Sequence, residues 1–203
     1  MTESDKNWDK VFAKSDMVDV SKVSFKNRYG IELTGDLYLP KGKASEKLAA
    51  IAVSGPFGAV KEQASGLYAQ TMAERGFAAL AFDPSYTGES GGEPRLVASP
   101  DINTEDFSAA VDFLSNLPNI DAERIGIIGI CGWGGMALNA ATIDTRIKAT
   151  VTSTMYDMSR VNANGYFDSM NADQRHELRR QLNEQRTIDT KNGSYALTGG
   201  VVD

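Results

Sequence analysis

The sequence predicts a doubly wound α/β fold: a mostly parallel sheet with helices on both faces, entered through an antiparallel hairpin. Two observations carry this. Four short apolar runs, at 48–53, 77–82, 125–130 and 147–152, have the unbroken hydrophobic character of strands buried on both faces. Segments with helical spacing separate them, and strand–helix–strand repetition of this kind closes as parallel pairs with crossover helices. At 203 residues, 41% of them hydrophobic, the chain is long enough for one domain with a sizeable core.

Taken in order, residues 1–19 are polar and read as a lead-in of loose or partial order. Residues 20–29 alternate through Val23 and Phe25, and residues 31–39 through Leu33, Leu37 and Leu39; turn formers at 27–30 join them as a hairpin. A charged loop at 41–47 leads to the first buried strand, 48–53. After the loop Ser54-Gly-Pro-Phe-Gly-Ala-Val60, Leu67, Met72 and Ala73 fall at helical spacing, and Gly76 supplies a stop. The next buried strand ends at Asp83. The loop that follows, Pro84-Ser-Tyr-Thr-Gly-Glu-Ser-Gly-Gly-Glu-Pro94, is dense in turn formers. A helix over 102–117 carries Phe107, Val111 and Leu114 on one face and ends at Pro118. A third buried strand (125–130), a helix (136–143) and a fourth buried strand (147–152) complete the pattern.

Beyond Thr154 the character changes. A polar helix is expected over 172–186, with Asn171 and Gln174 at capping-box spacing and only Leu178 and Leu182 as sizeable apolar residues. The domain reading is therefore a lead-in (1–19), an α/β core (20–155) and a partial helical cap or insert (156–203).

Composition excludes several partners. A net charge of −6 and a sequence pI near 4.9 oppose nucleic acid and anionic membrane surfaces. No apolar run approaches the roughly 20 residues of a membrane span, and the N-terminus lacks the basic-then-apolar pattern of a secretory signal. The single cysteine permits no internal disulfide and points to a reducing, cytoplasmic setting.

The chemistry concentrates in Arg124-Ile-Gly-Ile-Ile-Gly-Ile-Cys131-Gly-Trp-Gly-Gly-Met-Ala-Leu-Asn139. A strand, a sharp turn and a helix with a thiol at the apex lift a nucleophile clear of its own backbone. The following helix aims its N–H groups and positive dipole end at the thiol and at an oxyanion formed on a bound acyl group. The competing reading is a buried cysteine acting as a small hydrophobe at the end of a core strand. Trp133 stands where a small residue is usual. A dinucleotide-binding reading starts from Gly132-Trp-Gly134-Gly-Met-Ala137, a G-x-G-x-x-A pattern, with Asp157 as the ribose-binding acid of an oxidoreductase.

Gly129-Ile-Cys131-Gly-Trp-Gly-Gly135 at a strand–helix elbow resembles the α/β-hydrolase superfamily, in particular its dienelactone-hydrolase-like and Xaa-Pro-peptidase-like branch, some members of which use Cys in place of Ser. Ser54-Gly-Pro-Phe-Gly58 is similar to the oxyanion loop of that family, and Asp83-Pro-Ser-Tyr-Thr-Gly-Glu-Ser-Gly-Gly92 to its Gly- and Ser-rich loop. The likeness covers residues 20–155. It implies a hydrolase of esters, thioesters or related small-molecule acyl compounds, with Cys131 as nucleophile and Gly132 N–H as one oxyanion donor. The second donor comes from the 54–58 loop: Pro56 has no N–H, so Phe57 is chosen and Gly58 held in reserve. No metal or organic cofactor is implied.

The resemblance also sets out what this chain lacks. The family's acid follows its seventh strand and its histidine the eighth, whereas this sheet is expected to be truncated after the sixth strand. The one histidine, His176, lies in the polar helix and reads as a surface residue. Asp157 reads as a helix cap and Asp83 as a partner for loop amides. The catalytic His and acid are then expected outside this chain, as in a piece of a longer protein. Without them the alternative is a non-catalytic, hydrolase-like binding scaffold. Half a sheet would also leave an open apolar edge, which predicts aggregation or a homo-oligomer when the chain is made alone.

Overall fold

The computed structural model describes residues 8–43 and 46–198. The chain divides into two compact units, one ending at Met155 and the other beginning at Tyr156.

In the first unit, β1 (Val18–Lys26) and β2 (Glu32–Pro40) form the expected hairpin, with Val18 opposite Pro40 and Lys26 opposite Glu32. Asn27 builds the turn: its side-chain oxygen accepts from the amides of Tyr29 and Ile31, both at 3.0 Å, and its carbonyl accepts from Gly30 N–H at 2.9 Å. Then follow β3 (Leu48–Ser54), α1 (Ala64–Glu74), β4 (Ala78–Phe82), α2 (Pro100–Ser115), β5 (Ile120–Ile130), α3 (Trp133–Ile143) and β6 (Ile147–Ser153). The sheet order is β1-β2-β4-β3-β5-β6. The β4–β3, β3–β5 and β5–β6 pairs are parallel, and the hairpin joins antiparallel through β2 and β4. The doubly wound, mostly parallel sheet is as the sequence predicts.

Period-2 alternation splits the central strands between two cores. Leu80 and Phe82 of β4, with Ile125 and Ile127 of β5, pack against Phe107, Val111 and Leu114 of α2 and Ala137 of α3. Ala79, Ala81, Val53, Ile128 and Ile130 face the other way, toward Ala69 and Ala73 of α1. Burial of each large side chain contributes about 1.5–3 kcal/mol, so these two layers dominate the stability of the unit.

Three expectations are corrected. Helix α1 does not bury Leu67, which is 44% exposed; its inward face is Ser65, Gly66, Ala69, Gln70 and Ala73. The helix rests closely on small strand residues, and a Cβ on Gly66 would lie 2.4 Å from Lys61 O and 3.0 Å from the Phe12 ring. A face built of small and polar residues leaves little apolar periodicity to read.

The second correction concerns the lead-in. Its first seven residues lie outside the described ones, but residues 8–17 are docked rather than loose. Val11 N–H donates to Glu62 O at 3.1 Å, while the Gln70 amide accepts from Ser15 N–H at 3.2 Å and donates to Ala13 O at 2.9 Å. Third, β6 is not buried on both faces. Among the described residues it pairs only with β5, and Val151 is 53% exposed.

In the second unit, α4 (Met158–Asn164) is capped by Asp157, whose carboxylate accepts from Arg160 N–H at 2.9 Å. Helix α5 (Ala172–Asn192) starts with the expected capping box: Gln174 N–H donates to Asn171 Oδ1 and Asn171 N–H to Gln174 Oε1, both at 2.9 Å. Neither helix buries a residue fully. Arg180 bridges Glu177 and Glu184 along the exposed surface of α5.

Candidate active site

Strand β5 runs into α3 through Cys131, which has φ +57, in the left-handed region. A non-glycine residue held there stores on the order of 1–3 kcal/mol and persists only where its surroundings fix it. They do. Cys131 N–H donates to Ser153 O at 2.8 Å, and Gly134 N–H donates to Cys131 O at 3.0 Å. Glycine is required two residues before it and three after. A Cβ on Gly129 would sit 2.4 Å from Trp133 O and 2.7 Å from Ala137 Cβ, and one on Gly134 would sit 2.6 Å from the Met155 side chain. The thiol is half-buried at the C-terminal edge of the sheet, where open α/β sheets bind ligands.

Trp133 is accommodated by the loop after β3. Gly55 has φ +98, and a Cβ there would lie 2.3 Å from Ile130 O and 2.9 Å from Trp133 Cβ. The half-buried Phe57 ring packs on Trp133, centroids 5.6 Å apart. Trp133 is 2% exposed, and its indole N–H has no hydrogen-bond partner among the described residues. The 54–58 loop therefore lies against the elbow. Gly132 caps α3 in helical conformation, so its N–H belongs to the first turn, which has no intrahelical acceptors.

Asp83, at the end of β4, is completely buried and holds two loops. Its Oδ1 accepts from Lys61 N–H at 2.7 Å and its Oδ2 from Glu89 N–H at 2.9 Å. The expected bonding to loop amides is present, together with an ion pair to Lys61 Nζ at 3.2 Å. Burial pushes the Asp83 carboxyl above the ordinary carboxylate range, against the Glu89 amide and the Lys61 charge. Lys61 is also fully buried and meets Glu62 at 2.5 Å and Glu89 at 2.6 Å. Burial works to lower its ammonium, but the Glu62 and Glu89 carboxylates and the Asp83 charge outweigh it and hold it above the ordinary lysine range.

A second buried network supports the 84–92 loop. Asp106 of α2 accepts from Ser85 N–H at 2.8 Å, Ser85 Oγ at 2.7 Å, Asn27 Nδ2 at 2.9 Å and Asn103 Nδ2 at 3.0 Å. Burial raises its carboxyl in spite of these donors. On the α1 side of the sheet, the Tyr68 hydroxyl shares a 2.8 Å hydrogen bond with Ser153 Oγ. None of Lys61, Tyr68, Ser153 or Asp106 was singled out from sequence. Each is an ordinary polar residue until a partner distant in the chain is known; Lys61 directly follows the loop at 54–60, and Tyr68 lies in the helix expected after it.

His176 is exposed on α5, and Asp157 is an exposed helix cap. The glycines of the dinucleotide-like pattern have other work here: Gly134 admits Met155, and Ala137 packs where Gly129 leaves room. Among the described residues no cluster of three or more His, Cys, Asp or Glu could hold a metal, and no helix is long and apolar enough to cross a membrane.

A sheet ordered β1-β2-β4-β3-β5-β6, with a strained elbow ending β5 and the loop after β3 laid against it, defines the α/β-hydrolase fold. Within that class, the family model of the X-Pro dipeptidyl-peptidases (S15 family) matches residues 29–197, and the chain belongs to that family. Protein PA2218 of Pseudomonas aeruginosa is 66% identical over 189 residues, covering 93% of this chain and 51% of that protein. Its crystal structure aligns with a TM-score of 0.91 and 62% identity over 98% of this chain and 64% of that one. Protein YcjY of Escherichia coli is 41% identical over 180 residues, 87% of this chain and 59% of that protein. The thiohydrolase aneE of Aspergillus aculeatus is 37% identical over 132 residues, 65% of this chain and 40% of that protein. The chain thus spans 51% and 59% of the lengths of the first two relatives. The family is hydrolase-like, and its relatives include thiohydrolases.

Proposed function

We propose that the complete protein hydrolyses small-molecule esters or thioesters through a covalent acyl intermediate on Cys131. The observation that carries this reading is the placement of the thiol: half-buried, at φ +57 on a strand-to-helix turn, with no room for side chains at Gly129 and Gly134. The similarity to a thiohydrolase supports the acyl-transfer class.

In this mechanism Cys131 Sγ attacks the acyl carbon. The S–C bond forms as the carbonyl electron pair moves onto oxygen, and the oxyanion is received by Gly132 N–H and Phe57 N–H. Collapse breaks the bond to the alkoxide or thiolate leaving group, which takes up the proton surrendered by the thiol. Water then attacks the acyl-cysteine, releasing a carboxylic acid and restoring the thiol. The proton transfers need a histidine oriented by an acid. Both are expected from polypeptide outside this chain, since His176 and Asp157 are exposed in the second unit. No organic cofactor or metal enters the scheme. The lone cysteine fits a reducing, cytoplasmic setting.

The test is rapid-quench intact mass of the complete protein mixed with p-nitrophenyl butyrate or a simple acyl thioester. The expected result is one added acyl group, mapping to the Cys131 peptide and absent in Cys131→Ala. Turnover with no adduct, and unchanged in Cys131→Ala, would sink the acyl-cysteine mechanism. Tight binding without turnover would favour the scaffold alternative.

A further inference from the structure

We infer that Lys61 and Asp83 are positioning residues that hold the 54–58 loop against the elbow and so set the placement of the Phe57 N–H; the inference rests on the acyl-transfer reading above. The loop is an arch with both ends tied to the same place. At its start, Ser54 Oγ donates to Phe82 O at 3.1 Å. At its end, Lys61 is tied through both its amide and its ammonium to Asp83, the residue that follows Phe82. Between these feet the arch touches the elbow, with Gly55 against Ile130 O and Trp133 Cβ and the Phe57 ring on Trp133. Moving the Lys61 foot would move Phe57 relative to Cys131.

The composition of the anchor argues for positioning rather than bulk stability. A completely buried lysine loses its hydration, and an apolar side chain of similar volume would fill the space at less cost. A charged group adds direction. Lys61 Nζ reaches Glu62, Asp83 and Glu89, the last also held by Lys22 at 2.7 Å, so the arch and the 84–92 loop are locked together. The second loop closes on the same carboxylate so tightly that a Cβ on Gly88 would lie 2.2 Å from Asp83 Oδ2.

The experiment compares two reactions of Cys131 in the complete protein. Acylation by p-nitrophenyl acetate forms the S–C bond, releases p-nitrophenolate and passes through an oxyanion. Alkylation by iodoacetamide displaces iodide from a saturated carbon and forms none. In Lys61→Met the saturating acylation rate should fall about 100-fold, with half-saturation within about threefold and the alkylation rate within about twofold of wild type. Lys61→Arg, which keeps the charge and donors, should recover most of the loss. If Lys61→Met does not fold, Asp83→Asn provides the same comparison with a near-isosteric change. Acylation at the wild-type rate, or a parallel fall in alkylation, overturns the positioning role. Nitrophenolate release that survives in Cys131→Ala overturns the acyl-cysteine reading itself, and this inference with it.

Discussion

The amide of Cys131 donates to the carbonyl of Ser153 at 2.8 Å, so the tip of the β5–α3 turn is tied to the last residue of the neighbouring strand. Ser153 also meets the Tyr68 hydroxyl through its side chain. A residue with positive φ is thus fixed by a neighbouring strand distant in sequence on one side and by the first turn of α3 on the other.

Substitution of Gly129 by alanine should be among the most damaging single-methyl changes in the unit. The new Cβ meets Trp133 O, Gly134 Cα and Ala137 Cβ at 2.4, 2.8 and 2.7 Å, and the first two are backbone that cannot rotate away. A loss of about 1–3 kcal/mol is expected in urea unfolding. An unchanged midpoint would mean that α3 can shift on the sheet.

Gln70→Met should free the N-terminal segment without unfolding the core. The amide of Gln70 holds both Ser15 N–H and Ala13 O, and methionine fills the volume while removing both bonds. Hydrogen exchange at residues 11–17 should rise by an order of magnitude or more, with β3, β4 and β5 unchanged. Faster exchange throughout those strands would show that the segment is part of the cooperative core.

Asp144 provides a pH signature. Arg146 grips it with Nε at 2.9 Å and Nη2 at 2.7 Å, and this hydrogen bonding holds its carboxyl below the ordinary range despite partial burial. With the folded value depressed, the contribution is complete above the unfolded value of about 3.9 and is lost as pH falls through the folded value. The half-exposed arginine limits it to about 1 kcal/mol. Asp144→Asn should therefore cost about that much at neutral pH, and the gap to wild type should close as unfolding is repeated at progressively lower pH. A gap that widens on acidification would contradict the sign.

The β6 edge should make this chain self-associate when it is produced alone. Val151 is 53% exposed on a strand that, among the described residues, pairs only with β5. Light scattering should rise with concentration, and Val151→Lys should suppress the rise, because charge on an edge strand blocks pairing. Equal scattering from both proteins would place the sticky surface elsewhere.

The parts of the fold legible in advance were those written in local chemistry. The hairpin turn at Asn27, the central strands and the Asn171–Gln174 cap each depend on residues within a few positions of one another. Helix α1 lies where its spacing predicts, with Ala73 buried and Met72 packed against the core, but Leu67 is exposed and Ser65, Gly66 and Gln70 complete the inward face. At the candidate site, the Cys131 elbow is legible because its glycines mark close backbone approach, and the 54–58 loop through its resemblance to the oxyanion loop of the α/β hydrolases. The Lys61 anchor is not. Twenty-two positions separate Lys61 from Asp83, and only the parallel pairing of β3 with β4 brings them together.

The sequence by itself determined the α/β class, the order of its elements and a thiol at the apex of a strand-to-helix turn, because hydrophobic period and turn stereochemistry act over a few residues. Tertiary structure alone decided that Lys61 is buried among carboxylates and that residues 8–17 are docked. Burial, ion pairing and strand neighbours depend on which distant segments meet, and no local pattern records that.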